Sequence, residues 1–135
     1  SDIFLMTHVT NPLLSANTII SALEMFEKII NKGEHDSLFS VTAIQQRLYD
    51  SKGKSINHDP EKLIPTQKLE PIMIENSCLY LFTNESFNSS KSRIGTRPYL
   101  YQTPFFESID IDNSEDWELA VAISKYQIDK EKEDN

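Results

Sequence analysis

Two aspartates separated by one residue, Asp110 and Asp112, are the side chains best suited to chemistry in this sequence of 135 residues. They alternate with Ile109 and Ile111, so an extended segment would place both isoleucines on one face and both carboxylates on the other. The two Cα atoms would then lie roughly 6 to 7 Å apart, because an extended chain rises ~3.3 Å per residue. Such a pair suits joint coordination of a hard divalent cation. Equally, the two charges could simply favour the positive end of the helix that follows.

The residues after the pair predict the start of a helix. Asn113 can act as the N-cap, and Asp116 stands three residues on, as in a capping box. We therefore expect a strand over 109–112 to end where a closing helix begins. This helix is predicted to run from Ser114 to about Tyr126 and to bury Trp117, Ala120 and Val121.

The start of the chain predicts a strand, a helix and a second strand. The run Ile3 to Met6 is apolar and is interpreted as a buried strand. A helix is expected from about Ala16 to Lys32, with Ser15 as its N-cap and Gly33 as its stop signal, followed by a strand at Leu38 to Val41. A βαβ order makes an α/β fold with a parallel sheet covered on both faces the most economical architecture.

The length of the chain predicts one domain with two distinctive segments. Residues 45–71 form a long polar connection that contains Pro60 and Pro65, and we interpret it as a protruding arm or a dimer contact. Residues 129–135 read as a polar, solvated tail. No internal repeat is visible.

Charge and cysteine usage exclude several classes of partner. The formal net charge is −8, with 21 acidic residues against 13 Lys and Arg, which argues against binding to nucleic acid or to an anionic membrane surface. Cys78 is the single cysteine and lies in the apolar run 78–82, so we expect a buried thiol in a reducing compartment. No apolar run reaches the ~18 residues of a membrane span. A cytoplasmic protein is expected.

Two further residues could bind a ligand. His8 lies at the end of the first strand, where open α/β sheets bind ligands, although a histidine there could also be purely structural. Arg93 lies in a predicted loop and could bind an anion or be an ordinary solvated charge. The three glycines, at positions 33, 53 and 95, are widely separated, so the sequence contains no glycine-rich phosphate loop.

Several stretches, in order along nearly the whole chain, resemble the acylneuraminate cytidylyltransferase family, the CMP-sugar synthetases. These stretches are FLMTHVTNPLL (residues 4–14), DSLFSVT (36–42), RLYDSKGKSINHDP (47–60), LIPTQKLEP (63–71), ENSCLYLFT (75–83), RIGTRPYLY (93–101) and ESIDIDNSEDW (107–117). The resemblance implies a Rossmann-like nucleotidyltransferase fold with a mixed sheet. It also implies a reaction in which a hydroxyl of an acidic keto-sugar attacks the α-phosphorus of CTP and releases pyrophosphate, assisted by Mg²⁺.

The resemblance assigns roles to individual positions. Asp110 and Asp112 match the family's carboxylates that hold the metal against the phosphates. The positions implied to contact the sugar acid or the phosphates, or to line the cleft, are His8, Gln67, Asn76 and Arg93. His8 stands where many members have a glutamine that faces the substrate pocket.

The sequence departs from the family in three places. Thr66 replaces an arginine that commonly precedes the glutamine at position 67, and Ser77 stands where many members have glycine. The family's amino-terminal third, with its loop for the CTP phosphates, would precede residue 1. We therefore expect the carboxy-terminal part of such an enzyme, inactive alone, with exposed apolar edges that favour a homo-oligomer, most simply a dimer. The alternative is a non-catalytic binding or dimerisation module of the same fold.

Overall fold

A computed structural model describes residues 2–135. Its helices are α1 (Ala16–Lys32), α2 (Asn84–Ser90) and α3 (Ser114–Asp134). Its strands are β1 (Ile3–Thr7), β2 (Ser37–Ile44), β3 (Ile72–Thr83) and β4 (Pro98–Gln102). Short 3₁₀ turns occupy Thr66–Lys68 and Phe105–Ser108. None of the helices in residues 2–135 is long and apolar enough to cross a membrane.

The four strands form one mixed sheet in the order β1, β3, β2, β4. Strand β1 pairs antiparallel with β3, so that Leu5 lies opposite Leu81. Strand β2 pairs in parallel with β4, with Phe39 opposite Leu100. The predicted α/β fold with a mixed sheet is confirmed. The prediction from the βαβ pattern alone was wrong in one respect, because β3 is inserted between β1 and β2 and makes the sheet mixed.

Helix α1 covers the sheet and begins and ends where the sequence predicts. The Ser15 side chain accepts a hydrogen bond from the Thr18 backbone N–H, and Gly33 closes the helix in the left-handed region with φ of 73°. Glycine adopts this conformation without the steric cost of a Cβ atom. The core of this part of the chain consists of Ala22, Phe26, Ile29, Leu38, Leu79 and Leu81.

Strand β1 is not buried, contrary to the sequence prediction. It is an edge strand of the sheet, and all five of its residues are exposed. Ile3, Phe4, Leu5 and Met6 each expose 36 to 45% of their surface. The apolar composition is right for a core strand, but within residues 2–135 nothing covers it.

The segment that carries the two aspartates was also predicted incorrectly. Residues 109–112 form no strand; they follow the 3₁₀ turn Phe105–Ser108 directly. Pro104 precedes that turn, and the Ile111 N–H then donates to the Thr10 carbonyl at 2.9 Å, so the segment pairs with a loop and not with a strand.

Helix α3 begins at the predicted capping box, with Asn113 and Asp116 bonded reciprocally. It continues to Asp134, beyond the predicted end and through most of the polar segment 129–135. Ala120 is buried as expected, but Trp117 and Val121 expose 61% and 49% of their surface. Ile123 is buried in their place.

The chain divides into two compact units, residues 2–42 with 75–135, and Ala43–Ile74. The second unit contains a small hairpin, in which Tyr49 bridges to Ser55 and the Asp50 N–H donates to the Lys54 carbonyl at 2.8 Å. Gly53, with φ of 85°, lies in its turn. The role of residues 45–71 as an arm or a dimer contact stays a prediction.

Candidate functional site

Asp110 lies in the segment between the 3₁₀ turn and helix α3. Its Oδ1 atom is buried and receives no hydrogen bond. A buried carboxylate oxygen without a donor is uncommon, because desolvating an anionic oxygen is costly unless a donor or a cation compensates for it. Asp110 therefore has the environment expected of a ligand for a positively charged group.

Asp112 differs from Asp110 in exposure. Its side chain is exposed, and its backbone N–H donates to Asp116 Oδ2 at 3.0 Å. The Asn113 N–H donates to the same Asp116 oxygen at 3.2 Å, so the capping box fixes the backbone at Asp112. The Asp112 carboxylate is therefore solvated while its main chain is held in place.

Asn11, which was not among the predicted site residues, lies against the same segment. It follows β1, exposes only 4% of its surface, and donates from Nδ2 to the Ile109 carbonyl at 3.3 Å. Its Oδ1 atom is buried without a hydrogen-bond partner. The sequence signal was the position of Asn11 in the loop after the first strand, a usual place for ligands in α/β sheets.

Strand β3 is distorted at Asn76 and Ser77. Ser77 has φ of 61°, a left-handed conformation that favours glycine, which explains why a glycine is the more suitable residue at this position. The Asn76 amide donates to Thr42 Oγ1 at 3.0 Å and to Thr103 Oγ1 at 2.8 Å, and its Oδ1 accepts from the Cys78 N–H at 3.3 Å. Asn76 thus fixes the distorted backbone through its side chain.

His8, Tyr80 and Arg93 form a connected group beside this distortion. His8 Nδ1 bonds to the Ser77 carbonyl at 2.7 Å, and the His8 and Tyr80 rings lie 6.0 Å apart, edge to face. The Arg93 guanidinium lies 4.0 Å from the centre of the Tyr80 ring, within the range of a cation–π interaction. Burial raises the pKa of the Tyr80 hydroxyl, which keeps it neutral.

The loop that carries Arg93 is fixed by Asp36. The Asp36 carboxylate accepts hydrogen bonds from the Thr96 N–H, the Thr96 hydroxyl, the Arg97 N–H and the Ser37 hydroxyl, all at 3.0 Å. Partial burial alone would raise the pKa of Asp36, but these hydrogen bonds outweigh it and hold the pKa below its ordinary value. Glycine fits closely at position 95, because an added Cβ would lie 2.6 Å from Asp36 Cγ and the carboxylate would have to shift.

The structure brings three of the six predicted site residues, His8, Asn76 and Arg93, together around Ser77. The Ser77 carbonyl bonds to His8 Nδ1, and Asn76 Nδ2 donates to Thr103 Oγ1. Asn76 Nδ2 also reaches Ser108 Oγ at 3.5 Å, two residues before Asp110. Arg93 joins through Tyr80. Asp112 lies two residues from Asp110. Gln67 belongs to the separate unit Ala43–Ile74, where its carbonyl accepts from Gln45 Nε2 at 3.3 Å.

Cys78 is fully buried, as predicted. Burial raises the pKa of its thiol, and the negative charges of Asp110 and Glu107 raise it further. A thiol with a raised pKa is a poor nucleophile at neutral pH, so the geometry supports a packing role.

An apolar groove adjoins the Asp110 segment. It has a volume of about 420 Å³ and lies between the loop at Pro12 and Leu13 and one face of α3. Ile111, Trp117 and Val121 are among its lining residues. The exposed side chains of Trp117 and Val121 thus form part of the wall of this groove, which adjoins the candidate site.

The donors around Asp110 fit a hard cation. In residues 2–135 no group of three or more His, Cys, Asp or Glu side chains is arranged to hold a metal. The oxygens of Asp110, Asp112 and Asn11 are nevertheless the donor type that Mg²⁺ prefers. The unpartnered Oδ1 of Asp110 is the observation that favours such an ion.

The fold and this oxygen-lined region define an α/β protein with a candidate cation site beside a mixed sheet. No family model matches the chain. The chain is similar to an N-acylneuraminate cytidylyltransferase of Streptococcus agalactiae serotype V, with 25% identity over 122 residues. The match covers 84% of this chain and 28% of that protein, so the chain spans little more than a quarter of the length of its relative.

Proposed function

We propose that this chain is part of a cytidylyltransferase that transfers CMP from CTP to an acidic keto-sugar of the sialic acid type. The similarity to the streptococcal cytidylyltransferase suggests the activity and the substrate class. The observation that supports the proposal is the buried, unpartnered oxygen of Asp110, at the position where the resemblance implies a metal ligand.

In this proposal Asp110 and Asp112 hold Mg²⁺. When bound, Mg²⁺ supplies charge compensation for the phosphates of CTP. Asp110 contributes a desolvated oxygen, and Asp112 contributes an exposed carboxylate on a backbone that the Asn113 and Asp116 capping box fixes. The capping box fixes the backbone at Asp112 before substrate arrives, which lowers the entropic cost of binding.

Arg93 and His8 bind and orient the sugar acid. Arg93 carries a permanent positive charge and is held over the Tyr80 ring by the loop that Asp36 fixes. His8 is oriented by its hydrogen bond to the Ser77 carbonyl. The sugar hydroxyl then forms a bond from its oxygen to the α-phosphorus, the bond from that phosphorus to the bridging oxygen breaks, the hydroxyl proton passes to solvent, and pyrophosphate leaves.

The test measures release of pyrophosphate from CTP in the presence of N-acetylneuraminate and Mg²⁺. It is run on the 135-residue chain and on the longest natural reading frame that contains it. We expect turnover in the longer protein that Asp110→Asn lowers by at least about 100-fold, because the variant holds less well the Mg²⁺ that compensates the charge of the phosphates, and none in the chain alone. Asp129→Asn, on the exposed end of α3, is the matched control. Turnover that survives Asp110→Asn would refute the site assignment.

A non-catalytic binding or dimerisation module is the second candidate. The exposed apolar edge strand β1 favours it, because unpaired edges with apolar side chains pair readily with another strand. A longer protein that forms dimers and binds the sugar acid but never releases pyrophosphate would support this module and exclude the enzyme.

A further inference from the structure

Asn11 is held at the centre of the loop that follows β1. Its backbone N–H donates to the His8 carbonyl at 3.1 Å, and its own carbonyl accepts from the Leu14 N–H at 3.4 Å. With 4% of its surface exposed, the side chain has one environment and little freedom to leave it. The loop therefore presents this amide in a fixed direction.

The hydrogen bond to Ile109 determines how the Asn11 amide is oriented. A carbonyl oxygen can only accept, so the amide group that faces the Ile109 carbonyl at 3.3 Å must be the Nδ2 donor. The amide oxygen is then turned to the other side of the group. That Oδ1 atom is buried and accepts no hydrogen bond.

Asp110, on the neighbouring segment, carries a second buried oxygen that accepts no hydrogen bond. The two backbone segments run together, since the Ile111 N–H donates to the Thr10 carbonyl at 2.9 Å. Asp110 directly follows Ile109 in sequence, and Ile109 is the residue that Asn11 contacts. The Oδ1 atom of Asp110 is also buried and accepts no hydrogen bond. These two buried oxygens lie on neighbouring segments, and neither accepts a hydrogen bond. Oxygens of this kind are the ligands that a hard cation prefers, and burying them without a positive partner is energetically unfavourable.

We propose that Asn11 Oδ1 is a ligand of the divalent cation, together with the carboxylates of Asp110 and Asp112. The inference rests on the proposed function for the two aspartates and adds a neutral oxygen from the loop after β1. A neutral third ligand completes more of the coordination shell of the ion without adding a third negative charge. It also couples the position of that loop, and hence of His8 three residues away, to occupancy of the cation site.

The experiment measures binding of Mn²⁺ to the intact chain by isothermal titration calorimetry, and the change in Tm that Mn²⁺ causes. The variants are Asn11→Ala, Asn11→Asp and Asp110→Asn. Asn31→Ala, an exposed asparagine in α1, is the matched control. We expect Asn11→Ala to weaken Mn²⁺ binding by about 10-fold or more, as for other residues that tune a metal site, and Asn31→Ala to bind as the unmodified chain does.

Asn11→Asp separates a ligand from a purely structural residue. The change removes the donor to the Ile109 carbonyl, so the metal-free chain should have a lower Tm than the unmodified chain. It also supplies a charged oxygen, so Mn²⁺ binding should be at least as tight as in the unmodified chain and the rise in Tm on adding Mn²⁺ should be larger. A structural role alone would give the lower Tm without the larger rise.

The outcomes separate this inference from the proposed function. If Asp110→Asn abolishes Mn²⁺ binding while both Asn11 variants bind with unchanged affinity, Asn11 is not a ligand and the two aspartates keep their assignment. If Asp110→Asn and Asn11→Ala both leave binding unchanged, or if the unmodified chain binds no Mn²⁺, the cation site itself is wrong and both proposals fail.

Discussion

Removing the Asp36 carboxylate should destabilise the loop that carries Arg93. The Asp36→Ala change removes the acceptor of four hydrogen bonds. Three of the four donors belong to Thr96 and Arg97, and the fourth is the Ser37 hydroxyl. Hydrogen bonds to charged groups contribute about 1.5 to 3 kcal/mol each, but three of these donors are exposed and can bond to water instead. We therefore expect a loss of about 2 to 3 kcal/mol in the free energy of unfolding.

Gly95 provides an independent check on the same contact. In Gly95→Ala the new Cβ would lie 2.6 Å from Asp36 Cγ, so the carboxylate must shift. Overpacking of this kind costs about 1 to 3 kcal/mol. Once Asp36 is alanine the obstructing group is gone, so the double variant should lose about 2 kcal/mol less than the sum of the two single variants.

The assay is urea denaturation followed by far-ultraviolet circular dichroism, with the four proteins of the cycle measured together. Asp129→Ala, exposed on α3, replaces Asp36→Ala in a control cycle and should be additive with Gly95→Ala. Additivity of Asp36→Ala and Gly95→Ala within about 0.5 kcal/mol would refute the close approach of these two residues.

The pH dependence of the Asp36→Ala effect has a defined sign. Because the pKa of Asp36 is lower in the folded chain than its ordinary value, the folded state favours the ionised form. The stabilisation is therefore fully present above the ordinary pKa of an aspartate and is lost as the pH falls through the lowered value. The difference in stability between the unmodified chain and Asp36→Ala should shrink on acidification.

Three further changes test other parts of the structure. Ser77→Val should destabilise the chain by about 2 kcal/mol, because a β-branched residue is strained at φ of 61°. Ser77→Gly should change the stability by no more than about 0.5 kcal/mol, since glycine adopts this φ freely. Thermal unfolding measures both variants. Cys78 should react with Ellman's reagent at pH 8 only in urea, because its thiol is buried and has a raised pKa; fast native labelling would contradict this. Leu5→Lys should lower the molar mass of any oligomer seen by light scattering, whereas Ile20→Lys, on exposed α1 surface, should not.

Local signals in the sequence predicted both ends of α1 and the start of α3 correctly. Ser15, Gly33, Asn113 and Asp116 act within one turn of their own helix, so their effect can be read without knowing the rest of the fold. The buried thiol of Cys78 was predicted for a similar reason, since it lies inside a continuous apolar run.

Features that depend on distant contacts were missed or predicted incorrectly. The exposure of β1 depends on what lies beside it in the sheet, which the composition of Ile3–Thr7 does not record. The segment 109–112 is not a strand because it pairs with the loop at Thr10. Asn11 reads as an ordinary loop residue before a proline, and its burial arises from a partner 98 residues away in sequence.

The short hydrogen bond between His8 Nδ1 and the Ser77 carbonyl fixes the tautomer of the imidazole ring. Because a carbonyl can only accept, the proton of the neutral ring is on Nδ1, and the lone pair is on Nε2. A hydroxyl group that approached Nε2 of the neutral ring would therefore donate its hydrogen bond to this nitrogen. The Ser77 carbonyl, in the distorted part of β3, thus determines which ring nitrogen of neutral His8 can accept a hydrogen bond.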